Sequence, residues 1–359
     1  MEPKDRLTDG SANTANADLV IEDIGLPPVL LILGKISQGG IGAVFRAEHA
    51  ESHAQLAVKV LLPHLAAIER HRLRFIQEAE TMRSLADPHI VTVHDCGVSK
   101  TGLPYMTMDY LEGRTLEQVL AQRSVTIAEA LEIFIQTSEA VAHAHKKGII
   151  HRDLKPSNIM LCDGHDQLFV KVLDFGIAKV TEEANIEAAR NLTATGELLG
   201  TPSYMSPEQS LGFPLDKRSD IYSLGCLMYH TLTGTPPFTA ATALQLLAKH
   251  TNNPAPQLAK LRPDLKLPHG LDRIVEKTLE KRRDDRYSDV EELLIDLHKV
   301  KAGTTLPVRL TGNQKQYLQI ALNIVIWFSV FYVAGSLLPG AISYLQHNIG
   351  GHARQETPP

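Results

Sequence analysis

The sequence lacks several features that would place it in a specialised class of protein. Its 359 residues include only three cysteines, Cys96, Cys162 and Cys226, which are odd in number and far apart. This spacing excludes a disulfide framework or a paired-cysteine zinc site, and it favours a reducing compartment. Long basic runs are also missing, and 36 Lys and Arg against 41 Asp and Glu give a net charge of −5. We therefore expect no nucleic-acid partner, because binding to phosphates needs clustered cations.

The N-terminus contains no apolar run of the kind that a secretory signal needs, so translocation of the following chain is not expected. Residues 1–29 are mostly polar, and we expect a flexible tail there. The whole chain is 43% hydrophobic and 21% charged, which is the composition of a soluble globular protein. Its length predicts one large or two moderate domains.

Charged residues (Asp, Glu, Lys, Arg) are absent from the stretch Gln316–Ala353. Within it, 318–338 contains 338 − 318 + 1 = 21 residues, and a helix of that length spans roughly 31 Å, close to the thickness of the bilayer core. We predict a single transmembrane helix at 318–338, preceded by a juxtamembrane linker at 302–317 and followed by a short tail at 339–359. A buried core helix is the alternative. The cations before this segment favour a cytoplasmic location for the bulk of the chain.

Between residues 30 and 301 the pattern changes from β-like to helical. Short apolar runs predict strands at 30–36, 43–48, 56–62, 91–97 and 103–110, with one helix among them at 68–85. Amphipathic periods then predict helices at 127–147, 220–232, 241–250, 271–279 and 288–300. We expect a small β-rich lobe and a larger helical lobe that meet at residues 109–113, with ligands in the cleft between them.

Two motifs in the small lobe point to phosphate chemistry. Several glycines between two predicted strands, at residues 36–44, would let backbone N–H groups approach phosphate oxygens. An ordinary hairpin is the alternative for this segment taken alone. Lys59 ends the apolar run Ala57-Val58-Lys59, and Glu78 on the next helix is a carboxylate that could hold the lysine toward phosphate.

The large lobe carries the most specific motifs. The string HRDLKPSN occupies residues 151–158, and Asp174-Phe175-Gly176 follows it. With GTPSYMSPE at 200–208 and DIYSLG at 220–225, the sequence resembles the eukaryotic-like (Hanks-type) serine/threonine protein kinases of bacteria. The resemblance covers about 270 residues. It implies an α+β, bilobal protein-kinase fold over residues 30–301, followed by the predicted transmembrane helix.

The resemblance implies a role for each matching residue. Asp153 would accept or orient the proton of the substrate hydroxyl, Lys155 would contact the transferring phosphate, and Lys59 would bridge the ATP phosphates with the support of Glu78. Asn158 and Asp174 would hold Mg²⁺, or Mn²⁺ in its place. The remaining ATP contacts would come from the glycine-rich turn (Ser37, Gln38, Gly39, Gly40, Gly42), the roof over adenine (Val44, Ala57), the gatekeeper Met108, and the hinge residues Asp109 and Leu111. Ser37 departs from the family pattern, since a glycine stands there in most members.

The function implied is transfer of the ATP γ-phosphate to Ser or Thr hydroxyls of protein substrates. Autophosphorylation of the activation loop at Thr193 or Thr195, in a homodimer, is expected to activate the enzyme. A catalytically impaired pseudokinase scaffold and a small-molecule kinase are the alternatives. The resemblance also implies a buried ion pair between Glu208 and Arg286. His143, His145 and His151 are interpreted as packing and loop residues rather than as a zinc site.

Overall fold

The computed structural model describes Leu19 and residues 24–175, 202–305 and 320–329. The chain divides into two compact units, Met1–Leu306 and Pro307–Pro359. All the numbered strands and helices below belong to the first unit, which contains the small and large lobes expected from the sequence.

The small lobe is built on a five-stranded antiparallel sheet in the order β1-β2-β3-β5-β4. Alternating burial along the strands produces its core face: on the second strand Ala43, Phe45 and Ala47 are fully buried while their neighbours are not. The strands are β1 (Leu30–Gln38), β2 (Gly42–His49), β3 (Gln55–Leu61), β4 (Val93–Val98) and β5 (Pro104–Asp109). These strands confirm the five predicted from the sequence.

Two helices lie between β3 and β4, a short α1 (Pro63–Ala66) and the longer α2 (Glu69–Arg83). The buried residues of α2 are Phe75, Glu78, Ala79 and Met82, a spacing that places them on one face of the helix. Glu78 is the one charged residue on that face, and it is 5% exposed. A carboxylate buried at such a position needs a cationic partner.

The large lobe is mainly helical. Its central helix, α6 (Lys217–Thr233), is buried along most of its length and ends at Gly234, which adopts the left-handed φ of 81° that favours glycine. This helix begins three residues before the predicted start, because the Asp216 carboxylate caps it by accepting from the Arg218 N–H at 2.8 Å. The other helices are α3 (Leu116–Gln122), α4 (Ile127–Lys146), α5 (Pro207–Ser210), α7 (Ala243–Asn252), α8 (Leu258–Leu261), α9 (Leu271–Thr278) and α10 (Val290–Lys301).

A second sheet in the large lobe was not expected from the sequence. It consists of β6 (Gly113–Thr115), β7 (Ile159–Cys162) and β8 (Phe169–Val172), paired antiparallel in that order. The strands are three or four residues long, which is too short for an alternating pattern to stand out. The sheet matters for function because β7 directly follows residues 151–158, and β8 leads directly to Asp174.

Two predictions near the chain ends, the tail 1–29 and the helix 318–338, fall mostly outside the described residues, as do residues 306–317 of the predicted linker and the predicted tail 339–359. Leu19 and Ile24 fall within the expected tail 1–29, yet they are 6% and 0% exposed and pack into the core, whereas Val29 is 40% exposed. Leu19 and Ile24 are too few to form a repeating apolar pattern, so the sequence could not predict their packing. In the second unit, residues 320–329 are helical and exposed. Within the described residues, no helix has the combined length and hydropathy that crossing a membrane would take.

Candidate active site

The glycine-rich turn joins β1 to β2 and contains the predicted residues Ser37, Gln38, Gly39, Gly40 and Gly42. It closes on itself, because the Gly39 N–H donates to the Gly42 carbonyl at 2.9 Å. At Gly42 a side chain has no room, since a Cβ would lie 2.7 Å from the Val60 carbonyl oxygen. Around Gly39 and Gly40, by contrast, a Cβ would meet nothing within 4 Å among the described residues. The tip of the turn is therefore open enough for a ligand to approach its backbone.

Four predicted nucleotide-site residues share one face of the five-stranded sheet. Lys59 lies opposite Val44, and Ala57 lies opposite Met108. Directly opposed residues point to the same side of a sheet, as do residues two apart on one strand. Ala57 and Met108 are each 7% exposed. This face therefore offers an apolar surface directly beside the lysine.

Lys59 is held between two carboxylates from different parts of the chain. Its Nζ lies 2.8 Å from Asp174 Oδ1 and 3.5 Å from Glu78 Oε1. Burial by itself lowers the pKa of Lys59, but the two negative charges outweigh burial, and the pKa is raised overall. The lysine is therefore a fixed cation at the point where β3, α2 and the segment after β8 meet.

The segment between α4 and β7 brings together the second group of predicted residues. Lys155 Nζ lies 3.0 Å from Asp153 Oδ2. The Asn158 side-chain amide donates to the Asp153 carbonyl at 2.8 Å and points at its carboxylate from 3.4 Å. The Leu173 N–H donates to the Asn158 carbonyl at 2.8 Å, which couples this segment to the residue next to Asp174.

Asp220, on the central helix α6, holds the backbone of this segment. Its carboxylate accepts from the N–H of His151 at 2.7 Å and of Arg152 at 2.8 Å, while His145 Nε2 donates to it at 2.8 Å. Arg152 has a φ of 66°, a left-handed conformation that non-glycine residues rarely adopt. Burial alone would raise the pKa of Asp220, but the hydrogen bond and charge of His145 outweigh it, and the pKa is lowered. The carboxylate is therefore an ionised acceptor in the interior.

The sequence had indicated DIYSLG as a family motif but not Asp220 as a site residue. The signal was present, because a lone aspartate inside an apolar helix needs buried donors. The His145 ring and the His151 backbone N–H both contact the Asp220 carboxylate. These contacts agree with the interpretation of the two histidines as packing and loop residues.

The predicted hinge begins at Asp109, the last residue of β5, and the predicted gatekeeper Met108 is buried just before it. The Asp109 N–H donates to the Thr92 carbonyl at 3.0 Å. The Asp109 side chain contacts His94 and Lys171 at 2.8 Å and 3.6 Å. Leu111 is partly buried and packs on the core. The chain runs from here directly into β6, so Asp109–Leu111 is the connection between the lobes.

The donor set at Asn158 and Asp174 fits a hard divalent cation. The Asn158 amide nitrogen is used by Asp153, so the amide oxygen is the atom left for a ligand role. Asp174 has a side chain 42% exposed, and one of its carboxylate oxygens pairs with Lys59. Oxygen donors of these two kinds are those that Mg²⁺ and Mn²⁺ prefer.

The ion pair expected between Glu208 and Arg286 is confirmed. Arg286 Nη1 and Nη2 donate to the two Glu208 oxygens at 2.8 Å and 2.9 Å. The arginine side chain is 0% exposed and that of the glutamate 3%. Gly176, Thr193, Thr195 and Thr201 lie outside the described residues.

Comparison with known proteins agrees with this architecture. Residues 31–297 match the family model described as the protein kinase domain. The chain therefore belongs to the protein kinase domain family.

Among curated proteins, the chain is similar to serine/threonine-protein kinase pkn3 of Myxococcus xanthus, at 37% identity over 267 residues. It is also similar to serine/threonine-protein kinase PknB of Mycobacterium tuberculosis, at 38% identity over 270 residues. Each match covers 74% of this chain, but 48% of pkn3 and 42% of PknB, so the chain spans less than half the length of these relatives. The crystal structure of the Mycobacterium tuberculosis PknI kinase domain superposes with a TM-score of 0.59 at 27% identity, covering 77% of this chain and 98% of that one.

Proposed function

We propose that this protein is an ATP-dependent serine/threonine protein kinase. The observation that carries the proposal is the position of Lys59 between Glu78 and Asp174, at 3.5 Å and 2.8 Å. A lysine fixed in this way is suited to neutralise the polyphosphate of ATP. The two similar curated proteins are both named serine/threonine-protein kinases, which supports the same assignment.

Each residue has a defined task in this proposal. The glycine-rich turn and the apolar face bearing Val44, Ala57 and Met108 bind ATP, and the hinge backbone at Asp109 and Leu111 contacts the adenine edge. Asn158 and Asp174 hold Mg²⁺, with Mn²⁺ as a substitute, and the ion supplies charge neutralisation of the phosphates.

Asp153 and Lys155 act at the reacting atoms. Asp153 orients the substrate hydroxyl and accepts its proton, for which an ordinary carboxylate suffices because the transition state is loose. Lys155, 3.0 Å from Asp153, brings a positive charge to the phosphate as it is transferred.

Two alternative functions are disfavoured. A catalytically impaired scaffold would lack one of the residues that hold phosphate, metal or proton, whereas all of them are present in this chain. A small-molecule kinase would not need the peptide-binding segment GTPSYMSPE or the Lys155-Pro156 pair.

The 359-residue chain should be incubated with ATP, Mg²⁺ and myelin basic protein. We expect phosphoserine and phosphothreonine in the product. Asp153→Asn should keep ATP binding and lower turnover by roughly 10²-fold or more. Asp163→Asn makes the same chemical change at an exposed position after β7 and should leave turnover unchanged. Undiminished turnover in Asp153→Asn would overturn the role of Asp153, and a wild-type chain without transfer would overturn the proposed function.

We also propose that residues 318–338 anchor the kinase domain, taken as 30–301, to a membrane from its cytoplasmic side. The proposal rests on the uncharged stretch and on the exposure of seven large apolar side chains in 320–329, among them Trp327 at 64% and Phe328 at 74%. Such a surface is unfavourable in water. The full chain should resist carbonate extraction, and deletion from Gly312 onward should release an active kinase. A full chain that is soluble without detergent would overturn the anchor.

A homodimer that phosphorylates its own activation loops completes the proposal. Among the described residues Arg152 Nε is buried without a hydrogen-bond partner, and burial lowers the pKa of this arginine. A phosphate on Thr193 or Thr195 would supply an anionic partner. Wild-type protein should therefore phosphorylate a tagged Lys59→Met chain in trans, and a Thr193→Ala, Thr195→Ala double variant should have reduced activity. Full activity in that variant would contradict this mechanism.

A further inference from the structure

The carboxylate of Asp109 joins side chains from both lobes at the hinge. His94 Nε2, on β4 of the small lobe, donates to Asp109 Oδ1 at 2.8 Å. Lys171 Nζ, on β8 of the large lobe, lies 3.6 Å from Asp109 Oδ2. We call Asp109, His94 and Lys171 the hinge network. None of their side chains belongs to the motifs that indicated the kinase family, and only the backbone of Asp109 was given a role from the sequence.

The small-lobe side of the hinge network depends on an irregularity in β4. The pairing of β4 with β5 shifts register between Val93 and Asp95, so that His94 stands at the bulge. A bulge re-aims the side chain at its extra residue. Thr107 stabilises this irregular backbone, since its hydroxyl accepts from the Asp95 N–H at 3.1 Å. The strand is thus built in a way that turns His94 toward Asp109.

The large-lobe side of the hinge network is anchored by the same strand that leads to Asp174. Lys171 Nζ also donates to the Ile90 carbonyl at 3.1 Å, and its side chain is 16% exposed. The backbone beside it is paired as well, because Val172 donates to the His89 carbonyl at 2.8 Å and accepts from Val91 at 3.0 Å. Lys171 therefore crosses from β8 to the small-lobe segment just before β4.

We infer that the hinge network positions the backbone of Asp109–Leu111 for the adenine of the nucleotide, with His94 and Lys171 as positioning residues. The inference rests on the proposed function. The backbone groups of Asp109 and Leu111 must keep a fixed orientation to contact adenine. The contacts of the Asp109 side chain with His94 in the small lobe and Lys171 in the large lobe restrict that orientation. Lys171 lies three residues before Asp174. Its contact with Asp109 therefore links the hinge, where adenine would bind, to the segment that would bind the metal and phosphates.

The hinge network is compatible with the arrangement of Lys59 that phosphate binding would need. The contacts from Lys59 to Glu78 and Asp174 form in the same structure in which Asp109 is held by His94 and Lys171. An inhibitory contact would instead be expected to hold Lys59 away from Glu78 and Asp174. Loosening the hinge network should therefore weaken nucleotide binding and leave the chemical step intact.

Direct titration of the full-length protein with ATP, followed by steady-state kinetics, tests this inference. Lys171→Met should raise the Kd and the KM for ATP about threefold to tenfold, with kcat and the KM for the protein substrate unchanged. Lys171→Arg should restore binding, because a guanidinium can span the same acceptors. His94→Gln should produce a smaller rise, since its contact is half exposed, and it carries the test if Lys171→Met does not fold.

Lys277→Met is the matched control, because it breaks a half-buried ion pair with Glu292 at 3.1 Å in the large lobe. It should leave the Kd for ATP unchanged. If Lys171→Met and His94→Gln both bind ATP as the wild type does, or if kcat falls while KM stays constant, the inference is overturned. A rise in turnover would also overturn it, since loss of an inhibitory contact would have that effect. A wild-type chain that binds no ATP would overturn the proposed function and the inference together.

Discussion

Replacing Arg286 by alanine should strongly destabilise the large lobe. The guanidinium is fully buried, and every one of its five N–H groups has an acceptor. Two bind the Glu208 carboxylate at 2.8 Å and 2.9 Å. The other three bind backbone carbonyls, those of Glu280 at 2.7 Å, Arg218 at 2.9 Å and Lys281 at 3.0 Å. The substitution therefore removes the three carbonyls' donor and the close cationic partner of the Glu208 carboxylate, which keeps only the Ser219 hydroxyl at 2.7 Å and the more distant Arg283 at 3.9 Å.

The cost is dominated by the carboxylate that remains. Removing one partner of a buried ion pair typically costs about 3 to 5 kcal/mol, because the other charge stays in a medium of low dielectric. Against a total stability of about 5 to 15 kcal/mol, a loss of this size is a large fraction. For a domain of this length it corresponds to a fall in Tm of about 10 °C. Arg286→Lys keeps the charge but offers three donors instead of five, so its loss should be intermediate.

The pH dependence identifies the cause. Burial raises the pKa of Glu208, but the hydrogen bond and charge of Arg286 outweigh it, and the pKa is lowered in the folded protein. A lowered carboxyl pKa contributes stability above the pKa of the unfolded chain, and this contribution is lost as pH falls through the folded pKa. Without Arg286 the buried Glu208 takes up a proton more easily. The difference in Tm between wild type and Arg286→Ala should therefore be largest near pH 7 and shrink as the pH falls toward and below the ordinary carboxyl pKa of 4.5.

Thermal unfolding of the full chain at several pH values measures both effects. Arg262→Ala is the matched control, because Arg262 makes a similar two-pronged contact with Asp264 at 2.9 Å and 2.7 Å, but at the surface. Exposed pairs contribute little, so its Tm should stay at the wild-type value. If Arg286→Ala melts within a degree or two of Arg262→Ala at pH 7, the pair with Glu208 does not stabilise the lobe and the reasoning is refuted.

Asp220→Asn should lower both turnover and Tm, because one amide oxygen cannot replace a carboxylate that accepts from two backbone N–H groups and His145. Wild-type turnover in this variant would mean that Asp220 does not position residues 151–155. Gly225→Ala should lower the free energy of unfolding by about 1 to 3 kcal/mol, since a Cβ would overlap Thr278 Oγ1. Urea denaturation measures this loss, and an unchanged midpoint would contradict it. Ser157 precedes Asn158, at a position where arginine-selecting kinases resemble one another in having glutamate, so a peptide array should reveal no dominant upstream arginine. Such an arginine would argue against the assignment.

The elements that could be predicted from the sequence are those with a long period or a specific motif. The five strands of the small lobe and the helices α2 and α4 were found within a few residues of their bounds, because each repeats its apolar pattern over several turns or alternations. The prediction of the candidate site residues has a different basis. Eight consecutive positions at 151–158 match the family pattern, and a string of that length does not arise from packing needs alone.

The parts that could not be predicted depend on contacts between distant positions. Asp220 binds backbone groups 68 and 69 residues earlier in the chain. Lys171 binds a carbonyl 81 residues away. His94 reaches Asp109 because of a register shift in β4, and no residue type in the sequence marks that shift. The helix or strand propensity of a short segment contains no information about contacts between distant residues, so these three contacts could be identified only from the structure.

The segment that carries Asp153 is positioned almost entirely by these distant contacts. Residues 151–155 form neither a helix nor a strand, and Arg152 adopts a strained φ of 66°. A backbone of this kind persists only when its surroundings determine it. Here the N–H groups are fixed by Asp220, and the Arg152 carbonyl accepts from Gln209 on α5 at 2.9 Å. Because Arg286 binds both Glu208 on α5 and the Arg218 carbonyl on α6, the buried ion pair holds together the two helices that supply these anchors.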